Sequence, residues 1–198
     1  MPASTSTPAK RINIYAHVSA SPSALAQRFG GEVVNSPGDD ADLAIFAINP
    51  AAGIDEVTIN NWRALDDFQT PRMLLVTGLD GQDLDFEDAV ILANRVLDIF
   101  VTPYLVLHGE NGEPAALIRL QDLEIIDYST KPPTLRHSEP EHEELVREFR
   151  EEYFEQISEM DDGAFGAGIL FPAIPINIAK EIGLDIVDRY IASLPSSS

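Results

Sequence analysis

Short apolar runs alternate along this chain with stretches that repeat apolar residues every three or four positions, and that alternation restricts the fold more than any single residue does. Runs that are apolar throughout suit strands buried on both faces, and helices between them make parallel pairing the natural arrangement. The strand candidates are Ile12 to Ala16, Glu32 to Asn35, Leu43 to Ile48, Met73 to Thr77, Tyr104 to Leu107 and Gly168 to Phe171. Pro22 to Phe29 reads as a helix, with Ser21 as N-cap and proline at its first position. Ile54 to Phe68 forms a second and stops before Pro71. Phe86 to Leu97 repeats Phe86, Ala89, Val90, Ala93, Val96 and Leu97 at helical spacing. A last helix is expected from Ile176 to Ser193, where Ile178, Ile182, Ile186 and Tyr190 recur every fourth residue.

Between Leu105 and Pro140 the rhythm changes. A turn at His108-Gly109-Glu110-Asn111-Gly112-Glu113-Pro114 separates two apolar runs, and Ala115 to Leu120 and Glu124 to Tyr128 are further strand candidates. This reads as a small β-rich insertion that closes with a stiff linker, Lys131-Pro132-Pro133-Thr134. An amphipathic helix follows from Glu141 to Glu159, with Leu145, Phe149, Tyr153 and Ile157 along one stripe.

Composition narrows the functional class. The chain has 198 residues, 33 acids against 13 Lys plus Arg, and a formal net charge of −20. That length suits one domain of roughly 100–200 residues. A hydrophobic content of 44% supports a core, unlike that of a disordered polyanion. No run reaches the ~18 apolar residues that signal a membrane span. Absence of cysteine excludes disulfides, thiolate zinc sites and cysteine nucleophiles. Together with an N-terminal stretch that lacks a signal-like apolar core, it points to the cytoplasm. Residues 1–10 read as a disordered arm. The excess of negative charge repels a phosphate backbone, so neither direct nucleic-acid binding nor a membrane partner is expected.

Several strand ends carry residues in a familiar order. Arg11-Ile12-Asn13-Ile14-Tyr15-Ala16-His17-Val18 is similar to the first strand and phosphate-loop entry of translational GTPases, elongation factor G in particular. Ala52-Gly53, Trp62-Arg63, Pro71-Arg72 and Asp80 fall in register with that family's Ala-Gly, Trp-Arg, Pro-Arg and the Asp of Asn-Lys-x-Asp. Asn35-Ser36-Pro37-Gly38 resembles its Asp-Thr-Pro-Gly, and Ile186 to Ser196 resembles the end of its GTP-binding domain. The resemblance implies an α/β fold: a three-layer, P-loop-GTPase-like, mostly parallel sheet over 11–198, with residues 105–160 as an inserted subdomain plus acidic helix. Only Gly30 to Val34 separate the first helix from Asn35, so the family's switch segment and antiparallel edge strand are expected to be missing.

Against that family the nucleotide motifs are broken. The phosphate-loop positions read Ser19, Ala20, Ser21, Pro22, Ser23, Ala24, and Pro22 removes both the family's lysine and a backbone donor. Ser23 stands at the magnesium-hydroxyl position. Ser21 to Ser23 otherwise read as a plain N-cap with proline at the helix start, or as a weak anion rest on a helix N-terminus. Asn35 replaces the magnesium-ordering Asp, and Asp39 stands where the water-positioning His would follow the glycine, opposing a γ-phosphate. Gly38 survives, although a Pro-Gly turn favours glycine on steric grounds. Thr77-Gly78-Leu79-Asp80 keeps only the base-reading carboxylate, and Phe171-Pro172-Ala173 would place a ring near guanine.

The expected function is that of a stand-alone pseudo-GTPase acting as a protein-interaction or translation-related module, with a ribosome-associated partner, no catalytic residue, no metal ligand and no cofactor. GTP hydrolysis is not expected without the lysine, the switch segment and the histidine. The alternative is a GTP- or GDP-binding sensor or weak GTPase using magnesium, with Ser21, Ser23, Gly38 and Asp80 as the degenerate nucleotide site. A domain of a longer factor is a third possibility. His137 and His142 could hold a metal amid glutamates, but they sit in a solvated acidic stretch. Residues 139–162 hold 11 acids against Arg147 and Arg150, a wet helix face or a docking surface for a basic partner.

Overall fold

The computed structural model describes residues 9–38, 40–80 and 85–195. Its central sheet has five parallel strands in the order β2-β1-β3-β4-β9: β1 Ile12–Ala16, β2 Glu32–Val33, β3 Leu43–Ile48, β4 Arg72–Val76 and β9 Ala173–Pro175. Every residue of β3 and β4 is buried, and apart from Arg72 at the start of β4 both read as unbroken apolar runs. No antiparallel strand flanks β2 among the described residues, so the parallel sheet simply begins there.

The connecting helices are α1 Pro22–Phe29, α2 Glu56–Ala64, α3 Phe86–Val96 and α5 Leu184–Ser193. Asp55 and Asp85 start α2 and α3 by accepting from the Thr58 and Asp88 backbone N–H groups, at 2.7 and 2.8 Å. The expected helix to Phe68 ends early. After Ala64 it tightens into a 3-10 turn, Asp66–Phe68, closed by Gln69 in the left-handed region at φ 49°.

A second, antiparallel sheet in the order β5-β6-β7-β8 lies between α3 and β9 in the chain: β5 Tyr104–His108, β6 Pro114–Arg119, β7 Glu124–Asp127 and β8 Thr134–His137. Helix α4, Pro140–Ile157, follows it. Strand β8 corrects the expectation of a bare linker. All four of its residues are exposed, so its pairing with β7 leaves no apolar alternation to read.

Two more boundaries move. The last core strand is Ala173–Pro175 and not Gly168 to Phe171. Its even positions face β4, with the Leu74 N–H donating to the Pro172 carbonyl and the Ile176 N–H to the Val76 carbonyl; Pro175 therefore turns its missing donor toward the sheet edge, where proline is tolerated. Gly168, at φ +68°, lies against the Gln69 carbonyl, where a Cβ would come within 2.3 Å. The final helix starts at Leu184, not Ile176, because residues 176–183 form a loop closed by an Asn177–Ile182 bridge and by Gly183 at φ +74°.

The core runs through both sheets. Its aromatic spine stacks Tyr15 on Phe46 at 4.7 Å, sets Phe46 edge-on to Trp62 at 4.8 Å, and sets Trp62 edge-on to Phe100 and Phe171 at 5.0 and 5.2 Å. Arg72 lies between the Trp62 and Phe171 rings, 4.6 and 4.5 Å from their centres. Its guanidinium donates to the Trp62 carbonyl at 2.8 Å and pairs with the half-exposed Asp66 at 2.8 Å.

Candidate functional site

Parallel α/β sheets place ligands beyond the carboxyl ends of their strands. Ser21 and Ser23 follow β1, Gly38 follows β2 and Asp80 follows β4, so all four sequence-predicted positions lie at that end of the sheet. What differs from a nucleotide site is the state of the donors there.

After Ala16 the chain enters a 3-10 turn, Val18–Ala20, capped by His17. The Ser19 N–H donates to His17 Nδ1 at 3.2 Å, and the Ser19 hydroxyl lies 2.8 Å from the same nitrogen. The Ala20 N–H donates to the His17 carbonyl at 2.9 Å and the Ser21 N–H to the Val18 carbonyl at 3.1 Å. Pro22 has no N–H. Three successive backbone donors are thus engaged within the turn, whereas a phosphate cradle needs such donors turned toward the ligand.

Ser21 occupies the N-cap position of α1, but its side chain makes no cap bond. The physical reason is its backbone, at φ 54° and ψ 53°: side-chain capping uses an extended residue, and the left-handed conformation carries the hydroxyl elsewhere. Its carbonyl still accepts from Ala24 and Leu25 at 3.1 and 3.2 Å. Ser23 is exposed in the first turn of α1.

Asn49, at the end of β3, ties the turn to the next strand, a role the sequence does not announce. Its Nδ2 donates to the Ser19 carbonyl at 3.1 Å and its Oδ1 accepts from the Ala51 N–H at 3.1 Å. The amide lies against Gly78, where a Cβ would come within 2.6 Å of it, and Gly78 sits at φ +70°. The resemblance assigns the bracing of the phosphate loop to the Asn-Lys-x-Asp strand; here the neighbouring strand does it.

The Asp80 carboxylate is engaged. Asn177 Nδ2 donates to its Oδ1 at 2.8 Å, and Lys180 Nζ stands 3.5 Å from the same oxygen. Lys180 also donates to Glu113, in the β5–β6 turn, at 2.6 Å. That bond raises the lysine's pKa and lowers the glutamate's. A Glu113–Lys180–Asp80 chain therefore links the antiparallel sheet to the edge where a base would be read. Asn177 and Lys180 were missed because residues 176–183 read as helix.

Phe171 is not near this edge. It precedes β9 and packs on Trp62 and Arg72 at the opposite end of the sheet, because the strand is shifted to Ala173–Pro175. Gly38 lacks a left-handed backbone, and a Cβ there would meet only the Asp40 carboxylate at 3.2 Å, so the steric need for glycine does not arise. The Tyr15 hydroxyl is buried near Asn13 and Gly38 without a well-formed hydrogen bond, and burial raises its pKa. Asp39 lies outside the described residues. His142 has a local role, its Nδ1 accepting from the Glu139 N–H at the start of α4. Among the described residues no group of three His, Asp or Glu side chains is placed to hold a metal ion, and no helix is long and apolar enough to cross a membrane.

Comparison with known proteins follows the same line. The chain is 27% identical over 127 residues to elongation factor G of Granulibacter bethesdensis, covering 62% of this chain and 18% of that protein. It is 24% identical over 181 residues to an elongation factor G-like protein of Mycobacterium tuberculosis, covering 79% of this chain and 25% of the relative. The chain thus matches a quarter or less of the length of these relatives. A solved crystal structure from Thermus thermophilus superposes with a TM-score of 0.76 at 19% identity, covering 96% of this chain and 41% of that one, which shows the fold. No protein-family model matches. The resemblance to the elongation factor G family, read from scattered residues, is shown by these similarities together with the sheet.

Proposed function

We propose that the chain is a pseudo-GTPase: a G-domain-like module that holds its fold without nucleotide and acts by binding another macromolecule in translation. The turn at residues 17–21 carries the reading, because the Ser19, Ala20 and Ser21 N–H groups are engaged with acceptors inside it and Pro22 stands where the family's motif has its lysine. Phosphoryl transfer depends on charge neutralisation and positioning, and neither is supplied here. The relatives' names support the ribosome as the place to look for the partner, and with it a cytoplasmic setting. Insertion residues 105–160 would form the part of the module that differs most from a bare sheet.

Co-sedimentation of the purified chain with bacterial ribosomes, with and without GTP, tests this directly. The expected result is a ribosome-bound fraction that added GTP leaves unchanged. A fraction that rises with GTP would overturn the nucleotide-free mode, and no sedimentation under either condition would overturn the ribosomal partner.

A further inference from the structure

We infer that a cavity among β5, β6, α4 and α5 binds a small organic monocarboxylate, one carboxylate group on a compact apolar body. The cavity shares no lining residue with the nucleotide-like end of the sheet, and its ligand does not depend on the protein-binding reading above.

The cavity, of about 240 Å³, is walled by tyrosines from three elements: Tyr104 at the start of β5, Tyr153 of α4 and Tyr190 of α5. Tyr104 and Tyr153 are buried, and Tyr190 is half-buried with its ring held edge-on to Phe165 at 5.0 Å. Pro103 and Ile186 add aliphatic lining. Sites for drug-sized ligands occupy roughly 300–1,000 Å³, so this one suits a smaller molecule.

The charged side chains that line it are both cations, Arg119 of β6 and Arg189 of α5, in a chain with 33 acids against 13 Lys plus Arg. Asp122 accepts from Nε and Nη2 of Arg119, the first at 2.8 Å, and Glu124 also accepts from Nη2. Asp185 accepts from Nη2 of Arg189 at 3.1 Å. None of these bonds uses Nη1 of either guanidinium, and none of the three carboxylates lines the cavity. The Tyr153 and Tyr190 hydroxyls form no hydrogen bond among the described residues, and burial raises the pKa of both, so they stay protonated and able to donate.

Guanidinium and phenol donors converging on one hollow call for an acceptor. The surrounding acids set its charge. Because each guanidinium already faces a carboxylate, the hollow balances one further negative charge spread over two oxygens, whereas a phosphate dianion meets added repulsion from Asp122, Glu124 and Asp185. The aromatic and aliphatic walls favour an apolar body behind the carboxylate over a bare inorganic anion.

The test is an amide NMR titration of the full chain with four probes: benzoate, benzamide, acetate and inorganic phosphate. Benzoate is expected to bind about tenfold more tightly than benzamide, which has the ring without the charge, and than acetate, which has the charge without the ring. Phosphate should bind more weakly than benzoate, and the benzoate shifts should fall on residues 103–104, 119–121 and 186–193. Arg189→Gln should bring benzoate down to the affinity of benzamide. Tyr190→Phe keeps the ring, removes one donor and should weaken benzoate about threefold. Both variants should retain the parent's far-UV circular dichroism. Arg28→Gln removes the same charge outside the cavity, from the pair with Asp188, and should leave benzoate binding unchanged. Benzoate binding no tighter than benzamide, phosphate binding at least as tight as benzoate, or an Arg28→Gln loss equal to that of Arg189→Gln would each overturn the inference. Shifts confined to residues outside the cavity in the parent protein would overturn it too, whatever the variants do.

Discussion

Trp62→Ala should lower the unfolding free energy by about 3–5 kcal/mol, the usual cost of truncating a buried aromatic ring. Trp62 is 1% exposed, contacts Phe46, Phe100 and Phe171 edge-on, and forms one of the two faces that hold Arg72. Alanine removes a contact from each ring at once and opens a cavity that the fixed strands β3 and β4 cannot close. For a domain of this size each kcal/mol moves the melting temperature by about 2–4 °C, so a fall of roughly 6–20 °C is expected. The effect should be read by circular dichroism, because this is the only tryptophan of the chain. Trp62→Phe should cost less than half as much. It keeps a ring against its neighbours and removes an indole N–H that is buried without a partner. A loss under about 1 kcal/mol for the alanine variant would mean that the aromatic spine does not organise the core.

Gly183→Ala is the second large effect, and it reaches the candidate site. Gly183 has φ +74°, and a Cβ there would lie 2.2 Å from the Pro175 carbonyl oxygen. The left-handed conformation alone costs an alanine about 1–2 kcal/mol. The close approach is to backbone at the end of β9, so it is relieved only by moving the strand or the start of α5. A total of about 2–4 kcal/mol is expected from denaturant unfolding. The loop 176–183 should also loosen from Asp80. Hydrogen exchange at Asn177 and Lys180 would then accelerate more than at β1, and equal protection in both proteins would contradict this account of the loop.

Legibility in the sequence followed how local each signal was. Ile12–Ala16, Pro22–Phe29 and Leu43–Ile48 fall where their residues predict, because continuous burial and a proline at a helix start are written within the segment itself. Strand β8 escaped because an exposed strand at a sheet edge has no burial pattern, and β9 because Pro172 and Pro175 read as breakers until the edge position is known. The start of α5 was misplaced because Ile178 and Ile182 keep helical spacing within a loop that the Asn177–Ile182 bridge closes.

The site was legible in part. Pro22, at the position of the family's phosphate-loop lysine, is a departure written in the sequence itself. The self-engaged turn was not legible, since it depends on a histidine cap and a left-handed serine. Asn49, Asn177, Lys180 and Glu113 arrive from separate segments, and only folding brings them to the turn and to Asp80. A resemblance of order and spacing therefore identified the fold, whereas the arrangement of donors at the candidate site depends on contacts between separate segments that no alignment of motifs contains.

Titration of the purified chain with GTP and with GDP, each with magnesium, tests the central claim most directly when calorimetry and thermal melting are read on the same sample. The account predicts no binding heat and an unchanged melting temperature for both nucleotides. Micromolar binding, with stabilisation approaching ~2.7 kcal/mol at a hundred times the dissociation constant, would contradict it and make Ser21, Ser23, Gly38 and Asp80 a working nucleotide site.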